Sequence, residues 1–307
     1  MKKLLIIFSL FIFLGPPVYA DKLLKNGFLT KNMGYDKDQN INNPSNTIII
    51  IYNHGQKSHD KKSSSCSWKN NVRNEASLIN KEINGKQIKL YHLCTHKLAG
   101  DDKNLWKKNF KPPYKGKPKL EKRLDANLDI IDKFVKMGVP HKQIFISGHS
   151  CGGWMTMMLL ARHQDKVGGG ISYMPACYGK LTQMFKVKKL GVDKALAKFK
   201  KKTPGPSAMR NSQIDKIKKS KNLPILVFTH PRDAFEGLLS DWVEEIPGVK
   251  RIVISENDEV DGKSCHRIGI NSGTEWKEKI KIFHWISQAD CFQYYNQTIL
   301  DYIASRI

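Results

Sequence analysis

Past its first twenty residues, this 307-residue chain has no apolar run long enough to cross a bilayer, which excludes a membrane-spanning helix there. Its ten histidines show no zinc spacing. His92 and His96 stand four apart, but they flank the end of a predicted strand, where that interval does not bring two rings together. No metal site and no cofactor is expected. Acidic residues are few, 28 against 52 Lys and Arg, giving a formal charge of +24. Yet the basic residues are mostly lysines spread along the chain, densest at 103–123 and 186–221. There is no RNA-binding signature and no basic stripe interleaved with aromatics, so a specific nucleic-acid partner is excluded. Loose attraction to an anionic lipid or polysaccharide surface is what the charge leaves open. No internal repeat is visible.

What is present begins with a leader. Lys2 and Lys3, the apolar run Leu4 to Leu14 and the small-residue end Val18-Tyr19-Ala20 read as a signal peptide over 1–20, cleaved after Ala20. About 287 residues then form a single domain, 21–307, exported to the periplasm or outside the cell and carrying +22. All six cysteines lie in that part, an even number that favours disulfides in an exported chain.

Strands are expected at 47–52, 87–93, 143–147, 168–174, 224–229 and 249–255. Thr47 to Tyr52 (TIIIIY) has the unbroken β-branched pattern of a central parallel strand covered on both faces. Helices are expected at 70–83, 120–137, 153–161, 238–245 and 293–306, whereas 21–45 holds no convincing strand pair and 95–119 reads as a surface loop. Residues 178–222 break the alternation as a basic insertion, either a cap over a site or a helical excursion. The class is α/β with a mostly parallel sheet.

The most informative motif is Gly148-His149-Ser150-Cys151-Gly152, a G-x-S-x-G between a buried strand and an apolar helix. A serine there sits in a strained turn with its hydroxyl raised, and the Cys151 N–H can donate to an oxyanion. The cysteine thiol itself is read as packed or disulfide-bonded rather than as the nucleophile.

With these elements in this order, the chain resembles the α/β-hydrolase superfamily. Within it, the resemblance is to the small exported dienelactone-hydrolase-like and prolyl-oligopeptidase-like esterases. It covers most of the mature chain but lacks the leading hairpin of the full eight-stranded sheet. The resemblance implies a nucleophile, an acid and a histidine in that chain order. Ser150 is the nucleophile. Asn53-His54-Gly55-Gln56 follows the first long strand and matches the family's His-Gly pair, making the Gln56 N–H the second oxyanion donor; His54 is structural rather than a base. Asp233, in His230-Pro231-Arg232-Asp233, is the acid, with Glu236 as the fallback and His230 as a neighbour or substrate contact. Two histidines compete for the base. His284 stands before Asp290-Cys291-Phe292 and the closing helix, and is preferred over His266.

The cysteines around that loop suggest two bridges, Cys265–Cys291 bracketing His284 and Cys66–Cys94; Cys151 and Cys177 stay unassigned. The expected activity is cleavage of a small-molecule carboxylic ester through an acyl-enzyme. A serine peptidase and a non-catalytic binding protein of the same fold are the alternatives. The oligomeric state and the acyl and alcohol groups are not readable.

Overall fold

The computed structural model describes residues 26–55, 72–95, 108–109, 117–254, 259–260, 263–264, 283–288 and 290–307. Its centre is an eight-stranded sheet. In chain order the strands are β1 (Gly27–Phe28), β2 (Thr47–Asn53), β3 (Glu82–Ile83) and β4 (Lys86–Leu93), then β5 (Ile144–His149), β6 (Gly169–Tyr173), β7 (Ile225–Thr229) and β8 (Val249–Val253). They lie side by side as β1-β4-β2-β5-β6-β7-β8, with β3 also on β4. The six strands from β4 to β8 in that order are parallel, and only β1 and β3 run against β4.

Each long strand buries both faces. Ile49 and Ile51 of β2 join Ile144, Ile146, Ile225 and Val227 beneath helices α1 (Lys119–Lys136), α2 (Cys151–His163), α3 (Val192–Lys202) and α4 (Pro204–Lys218). Ile48, Ile50 and Tyr52 point the other way and join Phe145, Tyr173 and Phe228 beneath residues 72–79 and the closing helix α5 (Asn296–Ala304). This two-sided burial is why the strands read as continuous apolar runs rather than alternating ones. Truncating a core aromatic such as Phe228 to alanine costs about 3–5 kcal/mol.

Within 178–222, α3 buries Ala195 and Phe199 and turns its lysines outward. Pro204 starts α4 at a position where its missing N–H is not needed. α4 packs along α2, where the Trp154 indole N–H donates to Gln213 Oε1 at 2.7 Å.

Three expectations need correction. The helix expected over 70–83 is, in its described part, one turn, Arg73–Ala76, followed by a tight hairpin. Asn84 (φ 51°) and Gly85 (φ 71°) take the left-handed conformation that a two-residue hairpin turn requires, and this local chemistry overrides the helical periodicity. The helix expected over 238–245 is a pair of short 3₁₀ turns, Gly237–Leu239 and Asp241–Glu245. The leading segment is not strandless: Gly27–Phe28 pairs with β4, the Phe28 N–H being held separately by Gln39 Oε1 at 2.7 Å. The surface loop at 95–119 lies mostly outside the described residues; Lys108–Asn109 and Lys117–Pro118 pair as a small ribbon.

Candidate active site

β2 connects outward to β4, and the chain then returns to lay β5 on the other side of β2. The carboxyl ends of β2 and β5 therefore flank the point where the winding direction reverses, the usual crevice for a ligand in an open α/β sheet. Ser150 stands at the end of β5, immediately before α2, with φ 57° and ψ −121°. A non-glycine residue there carries strain of about 1–3 kcal/mol. The surroundings hold it: the Ser150 N–H donates to Tyr173 O at 2.9 Å, and the Ala176 N–H donates to Ser150 O at 3.2 Å. The flanking glycine at 152 is obligatory for space, because a Cβ there would collide with the Asn53 carbonyl at the end of β2.

The structure brings Ser150, His284 and Asp233 together. Ser150 Oγ lies 2.9 Å from His284 Nε2. His284 Nδ1 lies 2.8 and 3.0 Å from the two Asp233 carboxylate oxygens. Because a carboxylate only accepts, Nδ1 carries the proton and Nε2 is left to accept from the serine. Asp233 is fixed in turn by the Phe235 N–H at 2.8 Å, and the Phe235 ring stacks on the imidazole with centroids 4.0 Å apart. Ala176 O, 3.2 Å from Ser150 Oγ, is a second acceptor for the same hydroxyl proton.

Residues given no part in the reaction by the sequence complete the frame. Asn53 and Asn127 exchange two amide hydrogen bonds of 2.9 Å, and Arg123 donates to the His54 carbonyl. In this way α1 grips the end of β2, where the expected oxyanion loop begins. His54 Nδ1–H donates to Gly55 O at 2.7 Å, while Nε2 accepts from the Thr95 N–H at 3.2 Å, so its ring is engaged away from Ser150. His149, in the middle of the motif, donates from Nε2 to the His284 carbonyl at 2.6 Å. Burial and the neighbouring His284 hold its pKa down at about 3, so it is neutral.

The fallback acid Glu236 is not in the chain of bonds. It forms a buried fork with Arg210 of α4, at 2.7 Å to Nη2 and 3.1 Å to Nε. A second buried glutamate, Glu75, accepts from Ser147 Oγ at 2.9 Å. Among the described residues its Oε1 has no hydrogen-bond partner, nor does the Tyr52 hydroxyl; the Tyr173 hydroxyl faces the same carboxyl without normal hydrogen-bond geometry. Burial raises Glu75 to a pKa of about 7, against the pull of the Ser147 and Tyr173 hydroxyls.

Gln56, His266, Cys66 and Cys265 lie outside the described residues, as does the Cys291 side chain, and with them both expected bridges. Cys94 is disulfide-bonded. The two cysteines left unassigned, Cys151 and Cys177, form a disulfide with Cα atoms 4.5 Å apart. The sulfur of residue 151 is therefore committed to a bond, while its N–H stays at the start of α2. No group of three or more His, Cys, Asp or Glu placed to hold a metal occurs among the described residues. No helix there is long and apolar enough to cross a membrane.

Set against known proteins, no family model matches this sequence, and no curated protein matches it. Solved structures do. Est1E from Butyrivibrio proteoclasticus superposes over 91% of this chain and 90% of its own, with 13% identity and a TM-score of 0.45. The carboxylesterase CesB of Bacillus subtilis covers 86% of each chain at 13% identity, TM-score 0.43. A Bacteroides ovatus protein assigned as a dipeptidyl aminopeptidase IV covers 95% of this chain and 37% of its own at 11% identity, TM-score 0.48. The sheet order and the serine turn between β5 and α2 decide the architecture. This is the α/β-hydrolase fold. A fold by itself does not name a substrate.

Proposed function

We propose that the chain is an exported serine hydrolase that cleaves small carboxylic esters through an acyl-enzyme. The observation that carries this reading is the buried hydrogen-bonded series Ser150–His284–Asp233, in the chain order and tautomer that acyl transfer needs. Ser150 Oγ attacks the ester carbonyl as His284 Nε2 takes its proton. Asp233 holds the imidazole and stabilises the imidazolium. The tetrahedral oxyanion is received by the N–H groups of Cys151 and Gln56. His284 then returns the proton to the leaving alcohol, and water, activated by the same imidazole, frees the acid. No cofactor takes part. The leader and the disulfides support export.

A fluorophosphonate probe tests the reading directly. It should label the wild-type protein at Ser150 and leave Ser150→Ala unlabelled. Hydrolysis of p-nitrophenyl esters should fall by several orders of magnitude in that variant and in His284→Ala. Turnover near the wild-type rate in Ser150→Ala would refute the enzyme. Comparable loss on peptide p-nitroanilides, with no ester turnover at any chain length, would move the substrate to a peptide.

A further inference from the structure

His284 is secured at three places, and the third has no role in the reaction scheme. Asp233 binds its Nδ1–H and Phe235 stacks on its ring, so both act on the side chain. The main chain is held by His149: Nε2–H to the His284 carbonyl, 2.6 Å, with both residues buried. The two rings lie 4.8 Å apart at 54°, and the Trp285 ring stands 5.5 Å from His149. On its other edge, His149 Nδ1 faces Gly55, where an added Cβ would come within 3.5 Å of it and within 3.0 Å of Ser150 Cβ. His149 thus touches three segments at once: the serine turn, the start of the expected oxyanion loop and the segment carrying the histidine.

We infer that His149 is a positioning residue for the base: by donating to the His284 carbonyl, it sets the imidazole's height over Ser150. The proposal rests on the reading of Ser150–His284–Asp233 as the catalytic series. It needs a donor that stays neutral, because a charge 4.8 Å from His284 would oppose formation of the imidazolium. Among the described residues, the groups facing the His149 ring are His284 and Trp285 on the histidine segment and Gly55 after β2; Glu75 lies one step down the same face, bonded to Ser147.

The test compares His149→Gln, whose amide nitrogen reaches the same carbonyl, with His149→Phe, which keeps the ring's bulk and loses the donor. Ester turnover and the rate of fluorophosphonate labelling are measured on each full-length protein, together with thermal unfolding. The expected result is a fall of roughly tenfold to a hundredfold in kcat for His149→Phe, the scale of a misplaced catalytic group, with KM within about twofold. Labelling should slow in parallel, and His149→Gln should recover most of the loss. If His149→Phe does not fold, His149→Asn, too short to reach the carbonyl, takes its place. The proposal is overturned if the donor-lacking variant works at the wild-type rate, or if Gln and Phe lose activity equally while folded. Wild-type protein that fails to label at Ser150 removes the triad reading and this proposal together. Labelled wild-type with an undiminished His149→Phe removes this proposal alone.

Discussion

Two buried glutamates, each 2% exposed, have opposite surroundings. Glu236 meets Arg210 of α4 in a fork of hydrogen bonds, and Arg210 also donates to Leu239 O. Glu75, on the other side of the sheet, meets only hydroxyls among the described residues and has one oxygen without a partner there. Burial raises the pKa of both, but for Glu236 the guanidinium works against it, whereas Glu75 has only hydrogen bonds to oppose burial and reaches about 7. One carboxyl is paired with a guanidinium; the other meets hydroxyls and stays protonated to about neutrality. At equal depth, the fold supplies one carboxyl with a cationic partner and the other with neutral ones.

A third buried acid extends the comparison, since Asp233 accepts the His284 Nδ1–H. Asp233→Asn should therefore have the largest effect, roughly a 10⁴-fold fall in kcat, because an amide can select the wrong tautomer. Steady-state ester kinetics with a folded variant measure it; a loss under tenfold would give the acid's role to another group.

Arg210→Met comes next. It strands Glu236 in the core and should cost about 3–5 kcal/mol in denaturant unfolding. The double change Arg210→Met with Glu236→Gln should recover much of that, as the penalty lies in the unpaired charge. If the double variant is no better than the single, packing of Arg210 against Trp154 dominates instead.

Glu75→Gln should have the opposite sign. With a folded pKa of about 7 against 4.5 for the free group, the native state retains a proton the unfolded chain has released. Its contribution is intact below pH 4.5 and lost as pH rises through about 7. The full difference is on the order of 3 kcal/mol. Glu75→Gln should match the wild type near pH 4.5, exceed it at pH 8 and flatten the melting profile between. Equal stability at both pH values would show that Glu75 is solvated and ordinary. Ser147→Ala, removing one hydroxyl from this acid, should cost only about 1 kcal/mol.

These contrasts mark the limit of the sequence. The β-branched runs of β2, β5 and β7 announce buried parallel strands because both their faces are apolar. Gly148 to Gly152 announces the turn because its chemistry is local. Asp233 and His284 follow from chain order in a resembling family; the structure places His284 against Ser150 and Asp233 on the far nitrogen of the same ring. Nothing local distinguishes Glu75 from Glu236. Their environments come from Ser147 and Arg210, 72 and 26 residues away. The Cys151–Cys177 bridge stays unassigned from the sequence, since it depends on how the segment after β6 folds back over the serine turn. Against the helix expected over 70–83, Asn84-Gly85 is a readable correction, a hairpin dipeptide that outweighs a weak period.

The contact between Gly152 and the Asn53 carbonyl separates architecture from chemistry in a way that mutational libraries can read. Under selection for folded protein alone, position 152 should return glycine only, because every other codon adds a Cβ where β2 already stands. Position 150 should return alanine and glycine freely, glycine even gaining ground by relieving the positive φ. Under selection for ester hydrolysis, position 150 should collapse to serine while the profile at 152 does not change. Two residues apart in one short motif, one codon is fixed by space and the other by reactivity.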